Sequence, residues 1–399
     1  MTAGRERMRE RRKSFLPFGS PLIEQPEIDE VVDTLRSGWI GTGPKVKRLE
    51  ALMCEYTGAK YARATNSCTA AMHLSLLAAG VKTGDEVITS PMTFCATANV
   101  ILHCRATPVF VDIEKDTMNL DPTLVEKAVT PKTKAVMPVH MAGRPCNMQA
   151  ILDIAVRHNL VVIEDAAHAI GAEYQGKKIG NIGHFTCFSF YVTKNVVTGE
   201  GGMVTTNDEE SAEMIEMMSL HGLSATAWSR YSQKAFAHYE VIAPGYNYDM
   251  TDIEASLGIH QLGRVEKYLK RREQIWGRYD EAFADLPVTL PAPVGSNERH
   301  ARHLYTLQLD IDRLTMSRNE VLQALHAENI GTGIHFLSLH LQKYYRERFG
   351  YKESDFPNAK YVSDRTFSIP FSTKLSDDDV EDVLAAVRKV LIAGQKVHP

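Results

Sequence analysis

The chain has 399 residues, 44% hydrophobic and 24% charged, with a formal charge of −4. That is the composition of a folded chain of roughly two to three domains, and it excludes a disulfide-dependent miniprotein, a fibrous chain and a disordered one. The near balance of charge gives no overall attraction to nucleic acid, and no run of about eighteen apolar residues is present to span a bilayer.

The first fifteen residues carry six basic side chains with no apolar stretch after them. This predicts a frayed basic tail over 1–15 and not a secretory signal; contact with a membrane surface is the second reading. Apolar residues at helical spacing predict helices over Pro26–Leu35, stopped by Gly38, and over Val46–Tyr56, stopped by Gly58. An alternation of strands and helices follows. ARATNS leads into the helical TAAMHLSLLAA, DEVITS is a strand, and FCATANVILHC is helical again. TPVFVDI, KAVMPVH and LVVIEDA are short Val- and Ile-rich runs separated by helices such as MQAILDIAVRH. Continuous apolar strands between helices require a mainly parallel sheet covered on both faces. GGMVTTND then reads as a strand followed by a helix through Met218, the stretch 222–245 as an extended loop, and Thr251–Phe283 as a long helix or pair broken near Gly263. LPVTLPAP is a linker. After it come a strand (HLYTLQLD), a helix (SRNEVLQALHAEN), a turn (IGTGIH) and a last amphipathic helix capped by Ser376. These elements predict a large α/β domain over 16–284, including an interdomain helix, and a smaller α+β domain over 285–399. The six cysteines, none in a Cys-x-x-Cys pair, fit a reducing cytoplasm.

Four segments carry chemistry. LVVIEDAAHAIG delivers Asp165 at the carboxyl end of a strand, where open α/β sheets present ligands, with His168 three residues on; a helix cap and a satisfied core histidine are the plain alternatives. FTCFSFYVTKNVVTGEGG sets Lys194 among aromatic and small residues, so partial burial and a neutral, nucleophilic amine are expected. TNSCTAAMHL places Ser67, Cys68 and Thr69 at a helix opening that can hold a phosphate, although ordinary N-caps look the same. No Gly-x-Gly-x-x-Gly or Gly-x-x-x-x-Gly-Lys-Ser/Thr fingerprint is present. SPMTFCATAN supplies Phe94, whose ring can cover a planar cofactor or simply pack the core. A lysine able to form a Schiff base, a carboxylate for a ring nitrogen, a phosphate-binding helix start and a stacking ring are together what pyridoxal 5'-phosphate (PLP) needs.

At these residues the chain resembles the sugar-nucleotide aminotransferases of the DegT/DnrJ/EryC type, which have the PLP-dependent fold type I. The likeness runs from FGSPLIEQPEIDEVVDTLRSGWIGTGPKV through NSCTAAMHL, SPMTFCATAN, VIEDAAHAIGAEYQGKKIG and FSFYVTKN to GYNYDMTDIEASLGIHQL and IGTGIHFLSLHLQKYYRERFGY. It covers essentially everything after the basic tail. The resemblance implies that Lys194 carries the cofactor, Asp165 meets the pyridine nitrogen, His168 approaches the cofactor oxygen and ring, and Phe94 stacks. It places Thr69, Ala70 and Ser189 at the phosphate, with Asn247 reaching the phosphate of a neighbouring subunit in a homodimer. It brings Trp39, Thr42, His335 and Phe336 to the sugar.

The implied reaction moves the amino group of L-glutamate to a nucleotide-linked 4-keto sugar, UDP-linked in the branch most alike, by a ping-pong mechanism in the cytoplasm. That branch acts on a 4-keto-pentose for lipid A modification of lipopolysaccharide. It has a lysine where this chain has Asn247 and an arginine where this chain has Leu337, so a 4-keto-6-deoxyhexose or a 3-keto sugar is the alternative. Dehydratases of the family replace the lysine by histidine, against which Lys194 argues. A PLP-binding sensor or scaffold is a non-enzymatic alternative. A metallohydrolase built on His335 and His340 lacks the spacing and glutamate of His-Glu-x-x-His.

Overall fold

The apolar runs are continuous because the sheet they form is covered on both faces. The computed structural model describes residues 11–224 and 239–396; the first ten residues of the expected tail and residues 225–238 of the expected loop lie outside the described residues. In chain order come α1 (Gln25–Ser37), α2 (Pro44–Thr57), β1 (Tyr61–Thr65), α3 (Cys68–Ala78), β2 (Glu86–Thr89), α4 (Cys95–His103), β3 (Thr107–Phe110), α5 (Pro122–Ala128), β4 (Thr133–Met137), α6 (Met148–His158) and β5 (Val161–Asp165). A small hairpin of β6 (Glu173–Tyr174) and β7 (Lys177–Lys178) precedes β8 (Phe185–Ser189), β9 (Gly202–Thr206) and α7 (Glu209–Ser219). The helix break at Gly263 separates α8 (Asp252–Gly263) from α9 (Val265–Phe283). Gly38 and Gly58 close α1 and α2 at φ 76° and 80°, a left-handed region that side chains resist.

Among the described residues the central sheet has the order β1-β9-β8-β5-β4-β2-β3. Only β9 runs against its neighbours. The pleat sends Val87, Ala135 and Ile163 into a core with α3 and α4, while the adjacent Ile88, Val136 and Val162 enter another with α6. Since Gly202 of β9 pairs with both Thr65 and Ser189, the carboxyl ends of β1, β2, β4, β5 and β8 share one edge with the start of β9. Open α/β sheets bind ligands at this edge.

The second body contains β10 (Val288–Thr289), β12 (Thr306–Leu309) and β13 (Thr366–Ser368) in one sheet. It is covered by α10 (Arg318–Ala327), α13 (Asp377–Ala393) and the later half of α9, whose Ile275, Trp276, Tyr279 and Phe283 enter its core. Ser376 caps α13 through a reciprocal pair with Asp379. Two expectations need correction. LPVTLPAP is more than a linker, because Val288 and Thr289 pair with β12. The basic tail is tied down from residue 11 onward: Arg12 lies 2.5 Å from Asp379 and 2.9 Å from Asp382, and Leu16 is buried in the small-domain core. The basic run gave no sign of these acids because they lie at the far end of the chain.

A single boundary at 285 also understates how often the chain crosses between the bodies. The strand β11 (Glu298–Arg299) pairs with β6. Leu339, with Tyr345 of α11 (Lys343–Phe349), packs against Met92, Phe110 and Met141 of the large domain. Buried Asp112 accepts the backbone N–H groups of Asn358 at 2.9 Å and Ala359 at 2.8 Å, capping α12 (Pro357–Arg365) from across the boundary. No helix among the described residues is long and apolar enough to cross a membrane.

Candidate active site

Asp165 ends β5 at the sheet edge. Its backbone is pinned to the strand neighbour: its N–H donates to the Pro138 carbonyl at 2.9 Å, and its carbonyl accepts from His140 N–H at 3.1 Å. One carboxylate oxygen accepts the Ala167 N–H at 3.1 Å, the other the Thr97 hydroxyl at 2.7 Å. Burial pushes its pKa above the usual aspartate value, opposed by Thr97, Ala167, Lys194 and His140.

Lys194 lies in the turn after β8, where its N–H donates to the Tyr191 carbonyl at 2.8 Å. Burial pulls its amine below the usual lysine value, against Cys68 and Asp165. The aromatic residues before it in sequence lie elsewhere. Phe185, Phe188 and Phe190 belong to the cores beneath the sheet, and Tyr191 is 44% exposed. The titratable groups that interact with the amine are instead Asp165, Cys68, His168, His303 and His335, from distant segments.

His168 is buried, with the His303 ring 4.5 Å away and the Phe336 ring 6.1 Å away, the latter nearly parallel at 15°. Burial, Lys194 and His335 hold it well below the normal histidine range, so it is neutral at pH 7. His303 is fixed by Asn195, next to the lysine: the Asn195 amide donates to the Ala301 carbonyl at 2.8 Å, which turns its oxygen toward His303 Nδ1 at 3.0 Å. His335 meets the Ser368 hydroxyl at 2.9 Å and is pushed down to about 4 by burial and Lys194. Phe94, the residue before α4, is 61% exposed, its ring 6.3 Å from that of Phe336.

The opening of α3 lies at the same edge. Ser67 is its N-cap and accepts the Ala70 N–H at 3.1 Å, so that donor is already engaged. A Cβ on Gly202 would come within 2.5 Å of the Cys68 nitrogen, so glycine there lets β9 pass directly beneath the helix start. Ser189 ends β8, its hydroxyl 3.4 Å from the Tyr191 N–H. Asn247 is exposed, and its carbonyl accepts from Asn66 of the same chain at 3.2 Å.

The four expected sugar contacts do not gather in one chain. His335 and Phe336 stand beside His168. Trp39 and Thr42 line a cavity of about 1220 Å³ with Met214, Met217 and Ile242, and its lining includes none of Lys194, Asp165 or His168. The Thr42 hydroxyl is held by Asp249 and Met250, and Trp39 Nε1 donates to the Thr42 carbonyl at 3.0 Å. Among the described residues no cluster of three His, Cys, Asp or Glu side chains is arranged to hold a metal. Thr97, Asn195 and His303 were not singled out in the sequence. Thr97 stands one turn beyond Phe94 and was findable by its spacing, whereas nothing local marks His303.

Residues 21–388 match the profile of the DegT/DnrJ/EryC1/StrS aminotransferase family. The chain is 52% identical over 385 residues to the spore coat polysaccharide biosynthesis protein SpsC of Bacillus subtilis, covering 96% of this chain and 99% of that protein. It is 54% identical over 380 residues to an uncharacterized protein of Methanocaldococcus jannaschii, covering 95% and 98%. A candidate sugar aminotransferase of Streptococcus pneumoniae in its PLP form superposes with a TM-score of 0.87 at 36% identity, over 95% of this chain and 99% of that one. PseC of Helicobacter pylori, an aminotransferase of pseudaminic acid biosynthesis, gives 0.88 at 29% identity, over 96% and 100%.

Proposed function

Because the chain belongs to the DegT/DnrJ/EryC1/StrS aminotransferase family and is a PLP-dependent sugar aminotransferase, we propose that it moves the amino group of L-glutamate to a UDP-linked 4-keto sugar in two half-reactions. The observation that carries this reading is the meeting of a depressed lysine amine and a buried carboxylate at one sheet edge. The residues suit PLP. Each oxygen of Asp165 accepts one protein hydrogen bond and keeps a lone pair for a ring N–H, and Phe94 offers an exposed ring face. The opening of α3, a helix N-terminus at this sheet edge, is suited to an anion.

When bound, PLP supplies the electron sink for the bond broken at the amino-bearing carbon. The remaining work falls to the chain. Lys194 holds the cofactor and, once free, takes the proton from that carbon of the donor and returns one to the sugar carbon. Asp165 keeps the ring nitrogen charged. Neutral His168, beside the rings of His303 and Phe336, would approach the cofactor's oxygen and ring, and Phe94 would stack on it. Thr69, the α3 backbone around Ala70, and Ser189 orient the phosphate. A homodimer belongs to this reading, with Asn247 supplied across the interface, and so does a cytoplasmic setting, where a nucleotide sugar and glutamate are available. Trp39 and Thr42 then meet the sugar from a second chain, while His335 and Phe336 approach from the same chain as Lys194. SpsC carries the name of a spore coat polysaccharide pathway and not of lipid A, and the product of this chain is an amino sugar for a glycan.

Leu337, 43% exposed beside Phe336, stands where the pentose branch has an arginine and so offers no cation to a diphosphate or sugar hydroxyl; this departure is the ground for the second substrate reading, a 4-keto-6-deoxyhexose or a 3-keto sugar. The test is kcat/KM for a UDP-4-keto-pentose against a UDP-4-keto-6-deoxyhexose. Amino transfer to at least one of them is expected. A hundredfold preference for the hexose removes the pentose, and Leu337→Arg should shift the ratio toward the pentose. Absence of amino transfer to either removes the UDP-4-keto assignment.

A further inference from the structure

The carboxylate of Asp165 is the end of a chain of hydroxyls. Thr97 is fully buried on the first turn of α4, and its hydroxyl lies 2.7 Å from Asp165 Oδ2. The buried hydroxyl of Thr93 lies 2.8 Å from that of Thr97. An ionised carboxylate only accepts hydrogen bonds, so Thr97 gives Asp165 its single proton, and Thr93 must donate to Thr97. Both threonines flank Phe94 at the start of one helix, so the ring expected to stack on the cofactor and the donor behind its nitrogen partner come from one segment.

We propose that Thr93 and Thr97 form a directed hydroxyl relay that keeps Asp165 ionised and aimed at the pyridine nitrogen, which makes Thr97 a positioning residue for the cofactor. The inference rests on the reading that Asp165 meets that nitrogen. Two features support it. Desolvation favours the uncharged acid here, and a charge-assisted hydrogen bond is stronger than a neutral one. The other titratable groups around Asp165 are Lys194 from the turn after β8, His140 beyond β4, Cys68 on α3, Cys187 on β8, buried Cys146 and its strand neighbour Glu164. Glu164 is occupied by His140 at 2.8 Å, Thr186 at 2.7 Å and the Gly183 N–H at 2.8 Å. Of the described side chains around the carboxylate, Thr97 is the one whose hydrogen bond reaches it.

The test is PLP dissociation from the holoenzyme, followed by absorbance, between pH 5 and 9. Thr97→Val keeps the shape and removes the hydroxyl; it should weaken binding about tenfold and move the acid limb up by about one pH unit. Thr97→Ser should retain the wild-type profile. Thr93→Val, which leaves the Thr97 bond in place, should move the limb the same way by less, and it decides the matter if Thr97→Val does not fold. Asp165→Asn separates the two claims. If it leaves affinity and profile unchanged, the reading of Asp165 itself fails. If it weakens binding while Thr97→Val and Thr93→Val follow the wild type, the relay alone is overturned.

Discussion

Lys194→Ala is expected to lower transamination by at least about a thousandfold, because one amine both holds the cofactor and carries the proton. The same change should leave the fold intact. Burial works against the charged ammonium of the ligand-free chain, so its removal relieves a desolvation cost, and thermal unfolding of the apoprotein should show a midpoint equal to or above that of the wild-type apoprotein. Non-covalently held PLP and lost turnover are the expected pair of results. Turnover within tenfold of the wild type would remove Lys194 from the chemistry.

The second large effect is at Asp165. Asp165→Ala should reduce kcat by about a hundred- to a thousandfold, since it withdraws charge that matters most as electrons move into the ring. Stability follows a separate sign. A carboxyl whose folded pKa is raised binds its proton more tightly in the folded chain. Its contribution is therefore most favourable at acid pH and is lost as pH rises from the unfolded value through the folded one. In the apoprotein, Asp165→Ala should flatten that decline. Near-normal kcat with PLP bound contradicts the role.

The central sheet was legible because its signals are local. Val-rich runs, the strand end at Asp165 and the stop signals at Gly38, Gly58 and Gly263 all lie within a few residues of the structure they specify. The elements missed lack such a pattern. The helix over Lys343–Phe349 is a single short segment whose apolar face exists only because Phe110 and Met92 lie opposite, and Thr366–Ser368 becomes a strand by pairing with Thr306–Gln308. The site divided in the same way. Lys194 and Asp165 could be named from their segments, but the titratable groups that act on the Lys194 amine lie far from it in sequence, and His303 reaches His168 only after the second body folds against the first. Trp39 and Thr42 are a different case: the resemblance groups them with His335, one chain keeps them apart, and their meeting belongs to the homodimer proposed above.

The account turns on whether this site passes nitrogen from donor to sugar. The direct measurement is to incubate the holoenzyme with 15N-labelled L-glutamate and a UDP-linked 4-keto sugar, then read the product by mass spectrometry. The account predicts a UDP-linked amino sugar bearing the label, together with 2-oxoglutarate, and no labelled sugar from the Lys194→Ala protein. Unlabelled sugar from wild-type enzyme whose PLP is bound to Lys194 would contradict it.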